Sequence, residues 1–210
     1  MFQISSRIVC AAVATVAATG VAFAAVPAYI EASPDELTTA FGADVAKHAF
    51  SDELTQTRTS LIAPTLPPDA GCGEDPTLKL TNVVPYGTGG AMWIERFNVV
   101  CKQPLTRTLL VLMKDDKPQA MPLLPGTTVA DPSLQVDASN IVTTAAMTRS
   151  KTNCEEAGIS DTEVTKAPPE GGGPWQERWT VITCEVPQEI DVNFTPSADG
   201  GTDISVVASE

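Results

Sequence analysis

Histidine is almost absent from this 210-residue chain, and His48 is the only one. A Ser-His-Asp or Cys-His catalytic set would have to use it, yet neither a G-x-S-x-G turn nor a reactive-cysteine context accompanies it. Its expected role is packing, on the apolar side of a helix. Structural zinc is excluded by the lack of any C-x-x-C pair and the remoteness of His48 from the cysteines. The glycine clusters lack the Gly-Lys-Ser/Thr ending of a phosphate loop. Ser197-Ala-Asp199-Gly-Gly-Thr-Asp203 carries two aspartates but neither the ligand spacing nor the closing Glu of an EF-hand loop. No metal and no cofactor is therefore expected. Basic residues are also scarce, 13 against 26 acidic ones, for a net charge of −13. Such a chain is repelled by nucleic acid and by anionic membrane surfaces, which removes both as partners.

A long apolar run occurs once, at the N-terminus. Arg7 is the only charged side chain up to that point, and Ile8 to about Val21 carries no charge. Ala22-Phe23-Ala24 then supplies the small-x-small pattern cut by a signal peptidase. Counted through Ala24 the run is about 17 residues, at the lower limit of a bilayer span, so residues 1–24 read as a cleaved signal peptide. Cys10 lacks the small preceding residue of a lipoprotein cysteine, which argues against a lipid anchor. The mature chain, twelve basic against 26 acidic residues, carries −14. The reading is a periplasmic or secreted protein with no stable membrane insertion after cleavage.

Four cysteines remain after cleavage: Cys72, Cys101, Cys154 and Cys184. An even number in an exported chain reads as two disulfides. Four cysteines allow three pairings, and an internal repeat selects one. Cys72 to Trp93 and Cys154 to Trp175 are separated by the same distance, and Trp93, Glu95, Arg96, Phe97 and Val99 match Trp175, Glu177, Arg178, Trp179 and Val181. Glycine clusters (Gly87, Gly89, Gly90; Gly171, Gly172, Gly173) precede both tryptophans. Each copy should close on itself, Cys72–Cys101 and Cys154–Cys184.

The residues around each tryptophan alternate with period two and predict half-buried strands. Thr106–Met113, Glu189–Thr195 and Thr202–Val207 add further strands, the last two joined by the turn Asp199-Gly200-Gly201. Ser33-Pro34-Asp35-Glu36 is a helix start, with Leu37, Phe41, Val45 and His48 continuing at helical spacing across Gly42. A second helix starts at Ser51 and runs to about Ile62, and a third occupies about Asp137 to Arg149. The predicted fold class is α+β, two repeated small units, each a helix plus a disulfide-tied antiparallel β-sheet. In domain terms, residues 25–71 form an N-terminal helical segment, 72–131 the first unit and 132–210 the second.

The glycine cluster, Trp175-Gln-Glu177-Arg-Trp179 leading to Cys184, then Val192-Asn-Phe194-Thr and Gly200-Gly-Thr-Asp203, resembles a pattern in small uncharacterised exported proteins of proteobacteria. The resemblance covers about the last 60 residues and, less closely, Cys72 to Met121. Phe97 stands where a second Trp would, and Lys102 and Glu185 where glycines would follow the closing cysteines. It implies export and disulfides, and no activity.

Trp93, Glu95, Trp175, Glu177 and Trp179 form the candidate functional surface. Two matched glutamates beside aromatic rings could be the acid/base pair of a cell-wall or polysaccharide hydrolase, provided that they lie about 5–10 Å apart in an open cleft. In the structural alternative each glutamate pairs with a cross-strand basic residue or sits on a solvated edge, and the tryptophans pack a core. The function expected is a non-enzymatic binding or accessory module of the cell envelope, with an envelope protein or glycan as partner. The alternatives are the hydrolase and an acidic inhibitor or immunity-type protein acting on a basic partner.

Overall fold

The computed structural model describes residues 30–31, 33–73, 75–87, 91–150 and 154–208. The signal peptide read at residues 1–24, with Cys10, lies outside them. The chain is α+β, with two antiparallel meander sheets. A two-residue strand β1 (Ile30–Glu31) leads into three helices, α1 (Pro34–Phe41), α2 (Ala43–Ala49) and α3 (Asp52–Ile62). Strands β2 (Thr77–Pro85), β3 (Met92–Val100), β4 (Leu105–Lys114) and β5 (Lys117–Pro122) complete a first sheet of order β1-β2-β3-β4-β5. Then come α4 (Pro132–Arg149) and a second sheet of β6 (Ala157–Lys166), β7 (Trp175–Thr183), β8 (Val186–Pro196) and β9 (Thr202–Ala208), paired in that order.

The helix starts follow their caps. The Ser33 hydroxyl accepts from Glu36 N and that of Ser51 from Leu54 N, each satisfying one of the open amides of a first turn. The helix expected to run from Leu37 to His48 is broken at Gly42, whose φ of 89° no helical residue adopts. The third predicted helix starts earlier than Asp137. Asp131 caps it through Leu134 N, and Pro132 fills its first turn, where no amide donor is needed. Thr143 and Thr144 are accommodated because their hydroxyls donate back to Ser139 O and Asn140 O, each at 2.7 Å.

Each sheet buries one face against its own helices. Leu37, Ala49 and Leu54 close over Val83, Trp93 and Val111, while Ile62 of α3 packs with Phe97, Val99 and Leu109. In the second half Ala138, Val142 and Ala146 of α4 cover Trp179, Val181, Ile190, Val192 and Phe194. Trp93, Phe97, Trp179 and Phe194 are all at most 2% exposed. Burying a large side chain of this kind contributes about 1.5–3 kcal/mol. The N-terminal helices thus belong to the core of the first sheet. The disulfides Cys72–Cys101 and Cys154–Cys184 tie the start of each sheet region to the strand that carries its tryptophans.

Candidate functional site

The five residues expected to form a functional surface are core residues for the most part. Trp93, Glu95, Glu177 and Trp179 have no exposed surface, and only Trp175 is half-buried, stacked on Phe194 with ring centroids 4.6 Å apart. Strand geometry explains this. Residues 93, 95 and 97 share one face of β3, and 175, 177 and 179 share one face of β7; in both strands it is the face turned to the helices. The aromatics draw that face inward, and the glutamate between them goes with it.

A buried carboxylate must be paired or fully hydrogen-bonded. In the first sheet the partner is Arg58 of α3. Its Nε donates to Glu95 Oε2 at 2.8 Å and its Nη2 to Oε1 at 2.5 Å, a bidentate pair, while Nη2 also donates to Ala49 O at 2.7 Å. Trp93 Nε1 adds a donor to Oε1 at 2.8 Å. The guanidinium lies 5.5 Å from the centroid of the Phe97 ring. In the second sheet no cation among the described residues is paired with Glu177. Trp175 Nε1 donates to Oε1 at 2.9 Å, Trp179 Nε1 to Oε2 at 2.8 Å, and the backbone amide of Val129 to Oε1 at 3.1 Å. The indole donors lie two residues away on the same strand as each glutamate, and the remaining donors lie outside it. They come from a helix in one case and from the segment between the sheets in the other.

Phe97 explains why the two boxes differ. A Trp at that position would supply the second indole N–H, as Trp179 does; Phe supplies none, and Arg58 fills the gap. Among basic residues read from sequence Arg58 carried no distinguishing signal, although a glutamate next to Phe rather than Trp already left one acceptor to be satisfied.

Residues 123–131 join the two halves and lie along β6. Thr127 N donates to Thr162 O at 2.6 Å, Thr128 N to Thr162 Oγ1 at 3.1 Å, and Thr162 Oγ1 to Pro125 O at 2.6 Å. Gly126 has φ 93°, and a Cβ there would stand 2.1 Å from Thr162 O, so only glycine allows this approach. On the first sheet's outer face Arg96 Nη2 donates to Thr128 O at 3.0 Å. Arg96 and Glu177 therefore hold adjacent residues of one segment, from opposite sheets. Arg178, which matches Arg96 in sequence, turns instead to Asp191 at 2.9 Å and Glu189 at 3.7 Å on a polar outer face, and the hydrogen bond to Asp191 raises its pKa.

Where the first sheet meets the second half, Arg107 of β4 is buried. It donates to Thr65 Oγ1, Thr65 O and Thr106 O. Burial lowers its pKa, against the opposing pull of Asp161. Burial in turn pushes the Asp161 carboxyl up. His48 is half-buried in the last turn of α2. Among the described residues no group of three or more His, Cys, Asp or Glu side chains could hold a metal ion, and no helix is long and apolar enough to cross a membrane.

Comparison with protein-family models, with curated proteins and with solved structures finds no match to this chain. The functional reading consequently rests on geometry alone.

Proposed function

We propose that this chain is an exported, non-enzymatic binding or accessory module of the bacterial envelope, formed by internal duplication of a helix-plus-sheet unit. The observation that carries the reading is the state of Glu95 and Glu177. They are the matched carboxylates on which sugar-cleaving chemistry would have depended. Both are fully buried, and the oxygens of both are occupied by N–H donors from the same polypeptide. A general acid or nucleophile has to reach substrate, so these two groups serve folding. The disulfides support export, because such bonds persist in oxidising compartments. The matched Trp-x-Glu boxes, one per sheet, support duplication and the resemblance to small exported proteobacterial proteins.

The test uses the oxidised mature protein, Ala25 to Glu210, as bait in envelope extracts, with the reduced and alkylated form as control. One protein or glycan retained by the oxidised form alone is the expected result. Turnover of a cell-wall polymer by the purified protein, abolished by Glu95→Gln with Glu177→Gln, would refute the reading. N-terminal sequencing of the exported protein should begin at Ala25.

A further inference from the structure

The edge strand of a sheet presents unpaired backbone N–H and C=O groups, and natural proteins guard such edges against pairing with other chains. Three edges here are guarded. In the first sheet β1 covers Asn82 and Val83 of β2. The rest of β2 is bent by the register shift between Leu80 and Asn82 and carries Lys79, while β5 has Pro118 and Pro122. In the second sheet the connecting segment lies along β6, with Thr127 N on Thr162 O. The fourth edge, β9, has none of these devices. Its residues, Thr202–Ala208, include no proline, glycine or lysine, and its register with β8 is unbroken. Among the described residues, none of its backbone groups bonds to any backbone other than that of β8.

The register decides which groups are open. Ser197 N donates to Gly201 O at 2.9 Å, which makes these two residues a hydrogen-bonded pair, and pair types alternate along an antiparallel ladder. Asp203, Ser205 and Val207 therefore bond to β8, and Thr202, Ile204, Val206 and Ala208 turn their N–H and C=O groups outward. Ile204 and Val206 pack against the second core but stay half-buried, whereas Phe194 and Val192, their partners on β8, are fully buried. The core is unfinished at this edge. The opposite face is acidic. Asp203 lies there with Val207, which is 56% exposed, beside Asp191 and Glu189 of β8, which already hold Arg178 between them. The geometry points to β9 as the docking edge for an extended, basic segment of a partner protein, added as a fifth strand of the second sheet. Its apolar side chains extend the row of Ile204 and Val206, and its cations answer Asp203 and Asp191. A second copy of this chain is the poorer occupant, because it brings a further net charge of −13 and another Asp203 to the same edge. This assignment rests on the reading of the chain as a binding module and names the class of partner it takes.

The test is a titration of the oxidised mature chain with the end-capped peptide Thr-Lys-Val-Lys-Val-Lys-Val-Thr, followed by ¹H–¹⁵N NMR. The same peptide with Glu in place of Lys is the control. Saturable shifts and slowed amide exchange at Ile204 and Val206 are expected with the Lys peptide. The Glu peptide should bind at least about tenfold more weakly, a difference that shrinks as salt rises. Val206→Pro removes one outward N–H and should weaken binding at least about tenfold. Because a proline there could also disturb the strand, Asp203→Lys is the second arm. It changes an exposed side chain only, and should weaken the Lys peptide about threefold while tightening the Glu peptide. Absence of saturable shifts in β9, equal affinity for the two peptides, or unchanged affinity in Asp203→Lys would each overturn the assignment. So would a dimer in sedimentation velocity that forms without peptide and is dissolved by Val206→Pro. These readouts need no envelope partner, so a failed pull-down and a failed titration remain distinct results.

Discussion

Glu95 and Glu177 occupy equivalent places on β3 and β7, and the protein keeps each of them buried by different means. The first is neutralised, by a guanidinium brought in on α3. The second is solvated, by two indole N–H groups and one backbone amide, all neutral. A cation compensates charge directly but must itself be desolvated, and it then depends on the carboxylate as much as the carboxylate depends on it. Neutral donors share the load among three groups, so none is indispensable. One of the three belongs to the connecting segment, which makes the second box a joint between the halves, whereas the first is internal to its own sheet.

That difference is easiest to break at Arg58. Arg58→Met leaves Glu95 buried with Trp93 as its remaining donor, and should cost about 3–5 kcal/mol, read as a fall in the urea midpoint. Equal stability of the variant would mean that neutral donors suffice in both boxes. The disulfides should behave alike, since they close loops with sequence separations of 29 and 30 residues. Replacing either cysteine pair by serine should cost about 3–4 kcal/mol in the chain-entropy model. A marked inequality would show that one sheet carries strain or residual unfolded structure that the other lacks. In the second box, Trp179→Phe reproduces the first box's Phe97 without an arginine to fill the gap. The expected loss is about 1–2 kcal/mol, smaller than that for Arg58, with faster amide exchange at Val129 if the box also steadies the connection.

Two smaller effects separate the halves further. The β7–β8 turn places Cys184 and Glu185 at φ 46° and 66°, in the left-handed region, while no residue of the corresponding β3–β4 connection has a positive φ. Glu185→Gly should therefore stabilise the protein by up to about 1 kcal/mol, and Lys102→Gly should not. Asp161 gives the least. Its carboxyl pKa is raised by burial, so the folded state holds the proton more tightly than the unfolded chain. Its contribution to stability is present below the unfolded carboxylate pKa and is lost as pH rises through the higher folded value. Asp161→Asn should flatten that decline in a pH series of thermal midpoints, without changing stability at the acid end.

Much of the architecture was legible in the residues. Period-two alternation located β3, β4, β7, β8 and β9, and the Ser33 and Ser51 caps located the starts of α1 and α3. Strands β2 and β6 were missed because Leu78, Leu80 and Val83 are interrupted by a register shift between Leu80 and Asn82, and β6 has shifts at two places. A bulge resets the alternation on which the pattern depends. The start of α4 at Asp131-Pro132 carried a readable cap signal. Alternation put Trp93 and Glu95 on one strand face and Trp175, Glu177 and Trp179 on another, but it tells which residues share a face and not which way that face turns.

The sequence by itself determined most of the elements, the Trp-x-Glu spacing and the pairing of Cys72 with Cys101 and Cys154 with Cys184, all local or periodic properties of the chain. Only the tertiary structure decided that Glu95 is answered by Arg58 from 37 positions away and Glu177 by Val129 from 48. It also decided that Leu109, Leu123 and Ile159, far apart in the chain, line one cleft. Donors that complete a buried group are chosen by proximity in space after the cores close, and proximity across such distances leaves no period in the sequence.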